Sequence, residues 1–258
     1  MNDLIMTDKI INNISCVIIV KNAELTIKGT LDSLEDFDDI VVYSNGCTDN
    51  SNEIAKTYSN VNLIQGEFLG FGPTKNEAAN LSKHDWILSL DADEVLSENF
   101  IKTLKQTTLN TDNIYTILRE NFYKDFQIKY CWGNDIITRL YNKKMTAFTD
   151  KNVHESIVSD GFNVVHFNDP IKHYPYSTIT DFIIKLDLYS TLYANDNAGK
   201  KKSSPLKAIL SAKFAFFKTY FMKMGFLDGY PGLIIAFSHM ATTFYKHMKL
   251  YEKNKTLK

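Results

Sequence analysis

Three carboxylates stand within four positions directly after a short apolar segment of the chain. Residues 86–90 (WILSL) have the composition of a buried strand, and Asp91, Asp93 and Glu94 follow them. Carboxylates crowded at a strand end repel one another, which lowers stability unless a cation or hydrogen-bond donors compensate. Two interpretations are therefore open: a solvated acidic turn, or a site for a positive ligand.

If the three acids form a site for a positive ligand, a divalent cation is the simplest candidate. Mg²⁺ and Mn²⁺ take hard oxygen ligands, and Mg²⁺ typically uses one or two carboxylates and completes its shell with water and substrate phosphates. In a D-x-D pattern such as Asp91 to Asp93, one aspartate can hold the metal while the other holds a sugar or ribose hydroxyl. The cofactor expected from this pattern is Mg²⁺ or Mn²⁺.

Alternating strand and helix patterns in the first part of the chain determine where the acids lie. Apolar or β-branched runs predict strands at the following residues: 14–20, 39–43, 61–65 and 86–90. Successive β-α units imply a parallel, doubly wound α/β sheet with helices on both faces, and such sheets bind ligands beyond the carboxyl ends of their strands. Asp91 lies at such an end, as do residues 21–22 and 44–45.

Four other polar or aromatic residues can complete a site of this kind. In the segment GFGPTKN, Lys75 supplies a cation for a phosphate or a base carbonyl, although the glycines and proline also fit a simple turn. Glu155 follows an imidazole in the segment VHE and is a candidate general base, although a lone loop glutamate is usually only solvated. His173 is a candidate metal ligand and Trp132 a candidate acceptor platform, with structural roles as the alternative for both.

The length of the chain and its cysteines limit the possible domain organisation and cellular compartment. The chain has 258 residues, enough for one large domain or a domain with an appendage. Its three cysteines show neither metal-type spacing nor a disulfide framework, which indicates a reducing compartment. The N-terminal residues lack the basic and apolar regions of a signal peptide. We therefore expect a cytoplasmic protein.

A basic, aromatic-rich tail follows a linker-like segment, DNAGKKKSSP, so we expect domains at residues 1–200 and 201–258. Residues 199–258 carry twelve lysines against two acids, and their pattern predicts two helices broken at residues 229–231. The longest stretch without a charged residue is 229–245, which is shorter than the ~20 residues of a membrane span.

Two roles are open for this tail. It can bind an anionic membrane surface, with aromatic side chains in the headgroup zone, or it can pack on the catalytic body. The concentration of basic residues in one tail, rather than along an aromatic groove, argues against a nucleic-acid partner.

The motifs, in their order and spacing, resemble those of family 2 glycosyltransferases, specifically the group similar to lipopolysaccharide-core β-1,4-glucosyltransferases. The resemblance covers about residues 14–250. It is carried by these segments: CVIIVKNAE, GCTDNS, GFGPTKNEAA, WILSLDADE, VHE, IKHYPYST and GFLDGYPGLIIAF.

The resemblance implies a GT-A fold with a Rossmann-like, mostly parallel sheet and a C-terminal helical extension. It implies an inverting, metal-dependent hexosyltransferase that moves a sugar such as glucose from a nucleotide sugar, often a UDP-sugar. The implied acceptor is a lipid-linked saccharide such as the core of lipopolysaccharide or lipooligosaccharide. The implied location is peripheral, on the cytoplasmic face of the inner membrane.

The resemblance also assigns residues of the donor site. It places Lys21, Asn22 and Glu24 in the nucleoside pocket, and Lys75 and Asn76 at the base or diphosphate. Two departures affect this pocket. Ser44 takes the position of the family's usual aspartate in the loop after the second strand, and NAE replaces the usual N-E-E. Both departures lie in the nucleoside pocket and therefore concern the identity of the donor nucleotide, not the reaction.

For the reaction itself, the resemblance makes Asp91 and Asp93 the D-x-D pair, with Asp93 as the metal ligand and Asp91 at the nucleotide sugar. His173 matches a histidine that completes the metal site in some members. Glu155 matches the acidic residue that serves as the base, and Asp135, in the segment WGNDIITRL, is a second candidate for that role.

Three other functions remain as alternatives. The segment LSLDADEV fits the nucleophile motif of haloacid-dehalogenase phosphatases with Asp91 as nucleophile, but no downstream acidic pair follows residue 100 to close a magnesium site. A catalytically inactive sugar-binding protein on the same fold is the second. The third, a sugar nucleotidyltransferase, lacks its glycine-rich, arginine-containing N-terminal loop.

Overall fold

The computed structural model describes residues 10–150 and 155–257. Its strands are β1 (Ile14–Val20), β2 (Ile40–Ser44), β3 (Val61–Gln65), β4 (Trp86–Asp91), β5 (Glu94–Val95), β6 (Asn113–Tyr123), β7 (Phe126–Gln127), β8 (Asp135–Asn142) and β9 (Asn163–Tyr176). Its helices are α1 (Ile27–Asp32), α2 (Ser51–Ala55), α3 (Phe71–Asn80), α4 (Glu98–Gln106), α5 (Ile179–Asn197), α6 (Pro205–Phe217) and α7 (Gly229–Thr256). The first two residues of the VHE segment, Val153 and His154, lie outside the described residues.

The first four strands form the parallel part of the sheet, in the order β3-β2-β1-β4. Strand β1 lies between β2 and β4, so that Ile19 pairs with Tyr43 on one side and with Asp91 on the other. The carboxyl ends of β1, β2 and β4 therefore lie side by side. This arrangement brings residues 21–22 and 44–45 to the same edge as Asp91.

Both faces of this parallel sheet are covered. On one face, Cys16, Ile18 and Val20 belong to a buried cluster that also contains side chains of α1 and α4. On the other face, Val17 packs in a second cluster with Ala78 and Ala79 of α3. Strands covered in this way carry continuous apolar runs, which explains the composition of β1 and β2.

The later strands extend the sheet with antiparallel pairs. The full order is β3-β2-β1-β4-β8-β6-β9-β5, with β7 paired to β6. Strand β8 runs antiparallel to both β4 and β6, and β5 pairs antiparallel with β9. The expected GT-A α/β class is confirmed, and its C-terminal part is helical.

The chain folds as two compact units. The first contains the described residues up to Arg119 together with Asp135–His173. The second contains Glu120–Asn134 and the described residues from Tyr174 onward. The second unit thus includes residues N-terminal to the expected boundary near residue 200, and that boundary stays a prediction.

Local signals define the helices of the second unit. Helix α5 begins after Thr178, whose side chain accepts the N–H of Asp181 at 3.3 Å while the Asp181 carboxylate accepts the Thr178 N–H at 2.8 Å. Helix α6 begins with Pro205 after the capping residue Ser204. A π-helical turn and a 3₁₀ turn separate α6 from α7, so the predicted break at residues 229–231 lies at the start of α7.

Helix α7 packs against both α5 and α6. None of the described helices combines the length and the apolar composition that crossing a bilayer requires.

Candidate active site

Lys75 joins two of the candidate acids at the carboxyl end of β4. It lies on the buried face of α3, one turn from Ala78, and its ammonium is almost completely shielded from solvent. Its Nζ is 3.3 Å from Oδ1 of Asp91 and 2.9 Å from Oε1 of Glu155, 80 positions along the chain. The ring of Phe148 lies 5.1 Å from the same nitrogen. Three residues predicted from the sequence therefore meet in one place.

Two arginines complete the surroundings of the acids. Arg139 of β8 places Nη2 2.5 Å from both Oδ2 of Asp91 and Oε1 of Glu94. Arg119 of β6 donates to Oε1 of Glu94 at 3.0 Å and to Oδ2 of Asp135 at 2.9 Å. Glu94 is fully buried, and its Oε2 accepts the backbone N–H of Asp91 at 3.0 Å.

The register of the antiparallel strands places these two arginines beside the acids. Strand β8 pairs Leu140 with Leu88 of β4, so Arg139 lies near the carboxyl end of β4. Strand β6 pairs Arg119 with Asp135 at the start of β8. The two guanidinium groups thus come from neighbouring strands.

The protein's own cations compensate the repulsion among these acids. Burial opposes ionisation of Asp91, but the Arg139 guanidinium, the Lys75 ammonium and then Arg119 outweigh it and hold the pKa of that carboxyl well below its usual range. Because arginine stays protonated at any physiological pH, this compensation is permanent. Asp91 and Glu94 are therefore tolerated without a bound metal.

Asp93 lies outside this network and contacts a histidine instead. Strand β5 pairs Glu94 with His173 of β9, and Nε2 of His173 is 3.6 Å from Oδ2 of Asp93. Neighbouring ligand atoms of an octahedral ion with bonds of about 2.1 Å lie about 3.0 Å apart, so these two atoms would have to move closer together to share one ion. In the part of the chain that the structure describes, no group of three or more His, Cys, Asp or Glu side chains is placed to hold a metal. Asp93 and His173 are the two side chains that could hold an ion here, and such an ion would need its other ligands from phosphate and water.

The residues after β1 hold the loop after β2. Asn22, in the left-handed region with φ 54°, accepts the Thr48 N–H through Oδ1 at 2.8 Å. Oε2 of Glu24 accepts the N–H of Asn50 at 3.1 Å. Lys21 is exposed at the end of β1. These contacts shape the edge of the sheet where the nucleoside pocket was expected.

Two buried polar atoms at the end of β2 lack a partner within the described residues. They are Oγ of Ser44 and Oδ1 of Asn45. Buried polar atoms are nearly always hydrogen-bonded, so each unsatisfied one needs an explanation. The exposed area of each atom is below 1 Å², so the structure leaves no room for a ligand group to bond to either one.

The other predicted residues have different surroundings. The side-chain amide of Asn76 exchanges two hydrogen bonds of 2.9 Å with the backbone of Phe148. Trp132 lies in the second unit, where it stacks on Tyr176 with 5.4 Å between ring centroids. Asp135 is half exposed and is held by Arg119.

The roles of Arg119, Arg139 and Glu94 were missed from the sequence. A signal was present, because Arg119 and Arg139 are the only two arginines among the 29 basic residues of the sequence. A buried arginine needs a carboxylate partner. Because all other basic residues of the chain are lysines, the two arginines indicate positions where a planar donor of several hydrogen bonds is required.

Comparisons with known proteins show the family to which the chain belongs. The model of Glycosyl transferase family 2 matches residues 15–167. An uncharacterized glycosyltransferase of Rickettsia bellii is 28% identical over 96% of this chain and 89% of its own length. The lipopolysaccharide core biosynthesis glycosyltransferase LpsC of Rhizobium meliloti is 22% identical over 91% of this chain and 93% of its own.

A solved structure of Staphylococcus aureus TarS is also similar, with 15% identity and a TM-score of 0.44 over 95% of this chain and 90% of that one. The matched family segment begins in β1, ends in β9 and includes every residue of the charged network around Asp91. The chain belongs to glycosyl transferase family 2.

Proposed function

We propose that the protein is an inverting, metal-dependent hexosyltransferase. It moves a hexose, glucose as the first candidate, from a nucleotide sugar to a hydroxyl of a lipid-linked saccharide such as lipopolysaccharide or lipooligosaccharide core. Membership of the family supports glycosyl transfer, and the name of the relative LpsC supports the core saccharide as acceptor. The adjacent carboxyl ends of β1, β2 and β4 support a nucleoside at this sheet edge, with a UDP-sugar as the first donor to test.

The contact among Glu155, Lys75 and Asp91 carries this proposal. Glu155 takes the proton of the acceptor hydroxyl, and the oxygen attacks the anomeric carbon from the side opposite the nucleoside diphosphate. The bond from that carbon to the phosphate oxygen breaks, and the nucleoside diphosphate leaves with the electron pair. Lys75 orients the Glu155 carboxylate at 2.9 Å.

Asp93 and His173 are the residues that would hold a divalent ion. Such an ion neutralises charge on the departing phosphates, one of the largest contributions a site of this kind can supply. Asp91 keeps a different role, because Arg139 and Lys75 occupy both of its oxygens. The same contacts argue against Asp91 as the nucleophile of a phosphatase.

Glu155→Gln tests the reaction. Loss of a positioned base typically costs ~10²- to 10⁴-fold in rate, so we expect transfer to fall by that factor while nucleotide binding, followed by thermal shift with manganese, stays unchanged. Glu98→Gln, on the exposed face of α4, is the matched control. Near-wild-type turnover of Glu155→Gln together with loss in Asp135→Asn would move the base to Asp135.

Two of the three alternative functions have experimental signatures of their own. A phosphoaspartate trapped at Asp91 would favour the phosphatase. Absence of transfer and hydrolysis with every nucleotide sugar, in the presence of manganese, would favour the inactive sugar-binding protein.

A membrane surface is the second partner that we propose, and helix α6 supports it. The helix buries its small residues, Ala208 and Ala212, and exposes its large ones. Leu206 is 67% exposed, and Leu210 and Phe214 are each 58% exposed. A surface helix of a globular protein normally has the opposite pattern. This helix therefore presents an apolar face outward, and such a face needs an apolar partner.

The charge around this face indicates which partner it is. Residues 199–227 contain seven lysines and no acid. A cleft of about 230 Å³ in the same unit is lined by Lys218, Lys223, His239 and four Ala or Thr residues, again without a carboxylate. Lysines beside exposed aromatic and aliphatic side chains suit an anionic lipid surface. We accordingly propose a peripheral enzyme on the cytoplasmic face of the inner membrane.

Co-sedimentation with vesicles of phosphatidylglycerol and phosphatidylcholine tests this surface. We expect wild type to pellet with anionic vesicles and less at high salt, and we expect Leu210→Ser/Phe214→Ser to remain in solution. Leu25→Ser, at a residue 68% exposed in the first unit, is the control and should pellet like wild type. A double variant that still pellets would contradict the proposal, and concentration-dependent dimers of wild type without vesicle binding would assign the face to a second copy.

A further inference from the structure

The segment GFLDGYPG (residues 225–232) has no role in the reaction described above, although it is part of the sequence resemblance. Asp228 is the capping position of α7, where an aspartate normally accepts an N–H of the first helical turn. Its carboxylate makes no such bond. Pro231, at the third helical position, has no N–H to donate. The carboxylate is therefore available for something else.

Asp228 instead binds the backbone of a distant loop. Its Oδ1 accepts the N–H of Lys129 at 2.9 Å, and its Oδ2 accepts the N–H of Cys131 at 2.8 Å. The N–H of Tyr130, between them, lies 3.3 Å from Oδ1 and 3.2 Å from Oδ2. Three consecutive N–H groups thus converge on one carboxylate 97 to 99 positions away. Hydrogen bonds to a charged acceptor are the strong ones.

Apolar packing and hydrogen bonds both hold this loop, since Ile128 and Cys131 are buried in a cluster with Ile235 and Trp132 packs against that cluster. Residues 128–134, between β7 and β8, contain no helix or strand. Asn121 anchors both ends, since its backbone oxygen accepts the N–H of Ile128 at 2.8 Å and its side chain donates to the oxygen of Gly133 at 2.9 Å. Between these ends lie the three N–H groups held by Asp228, and then Trp132.

The turn that carries Asp228 is itself rigid. A side chain at Gly232 would place Cβ 1.9 Å from the backbone oxygen of Gly225, so only glycine allows this approach. Met224, just before the turn, has φ 53°. The carboxylate is consequently pre-positioned before the loop binds to it, which lowers the cost of fixing the loop.

We propose that Asp228 is a positioning residue for the acceptor: it fixes the loop that carries Trp132 and thereby sets how that ring receives the acceptor saccharide. This inference rests on the proposed function and takes Trp132, the candidate acceptor platform from the sequence, as the ring that contacts the acceptor. It gives the C-terminal segment a part in acceptor recognition that is independent of any membrane contact.

Cys131 provides a direct reporter of the loop. Its side chain is fully buried, and burial together with the Asp228 carboxylate raises the pKa of the thiol to about 12. The thiol should therefore react slowly with iodoacetamide while the loop is held. Cys16, buried in the first unit with its pKa also raised by burial, serves as the internal reference for global unfolding.

The test compares wild type, Asp228→Asn and the control Glu252→Gln, which changes the other acid of the tail. Alkylation of each cysteine is followed by mass spectrometry, and the KM values for donor and acceptor are measured separately. For Asp228→Asn we expect Cys131 to react at least about tenfold faster, Cys16 to remain unlabelled, and the acceptor KM to rise about tenfold with an unchanged donor KM. Asp228→Glu, which keeps the charge but displaces it, replaces Asp228→Asn if the latter does not fold.

Each other result overturns a defined part of the inference. Labelling of Cys131 at the wild-type rate would show that Asp228 does not hold the loop. Faster labelling with an unchanged acceptor KM would remove the role in acceptor binding. Labelling of Cys16, or a parallel loss of donor affinity, would show general unfolding instead of positioning. If wild type transfers no sugar at all, the proposed function fails, whereas the labelling rates still decide whether the loop is held.

Discussion

Replacement of Arg139 by methionine should destabilise the protein by about 3–5 kcal/mol, the usual cost of removing one partner from a buried ion pair. The structure places the effect in this range because Arg139 is 7% exposed and Glu94 is fully buried, and because one nitrogen contacts two carboxylates. After the change, Arg119 would be the cation that remains beside Glu94, and Asp91 would keep Lys75 at 3.3 Å and Arg119 at 3.9 Å. An exposed ion pair, in contrast, contributes about 0.2–1 kcal/mol.

Thermal and urea unfolding of Arg139→Met measure this loss. With about 2–4 °C per kcal/mol for a chain of this size, the midpoint should fall by roughly 6 to 20 °C. Lys28→Met is the matched control, since the Lys28–Asp32 pair is exposed on both sides. Adding Glu94→Gln to Arg139→Met should recover part of the loss, because the uncompensated buried charge is then gone. An Arg139→Met protein as stable as Lys28→Met would refute the reasoning.

Three further predictions concern charge, thiols and packing. The pKa of Asp91 is lowered in the folded state, so its ion pairs stabilise the protein fully above the unfolded pKa of about 3.9. This stability is lost only as pH falls through the lower pKa of the folded state. The difference in unfolding midpoint between wild type and Asp91→Asn should therefore be constant at neutral pH and shrink only in strong acid. Iodoacetamide should label Cys47 before Cys16 and Cys131, which are both buried with raised pKa values, and equal rates would contradict this. Gly232→Ala should destabilise strongly through the contact with Gly225, whereas Gly29→Ala in α1, where Cβ meets only Val95 at 3.7 Å, should be neutral or stabilising.

The parallel half of the fold was predictable because its signals are local. The strands at residues 14–20 and 61–65 have the predicted bounds, since continuous apolar runs between turn residues define a doubly covered strand. The place of Asp91 at a strand end follows from the same local pattern.

The charged network was not predictable in the same way, because it depends on the pairing of distant strands. Arg119 and Arg139 reach the acids only through the antiparallel register of β6, β8 and β4. The contact between Lys75 and Glu155 joins residues 80 positions apart. A sequence shows which residues need partners, whereas the register decides which partners they obtain.

The compact unit that contains the basic tail also contains a segment from much earlier in the sequence. Residues 120–134 precede the predicted tail by some distance in sequence, yet they belong to the same compact unit as α6 and α7. Asp228 explains much of this, because its carboxylate binds the loop at residues 129–131. No local property of residues 120–134 indicated it.

The central claim is a division of labour between the two aspartates: Asp91 is neutralised by Lys75 and Arg139, whereas Asp93, beside His173, is left to bind a metal with the nucleotide. Titration of Mn²⁺, followed by electron paramagnetic resonance in the presence of the nucleotide that most stabilises the protein, tests it directly. We expect Asp93→Ala to weaken manganese binding at least about tenfold and Asp91→Asn to weaken it far less. Wild-type manganese affinity in Asp93→Ala would contradict the account.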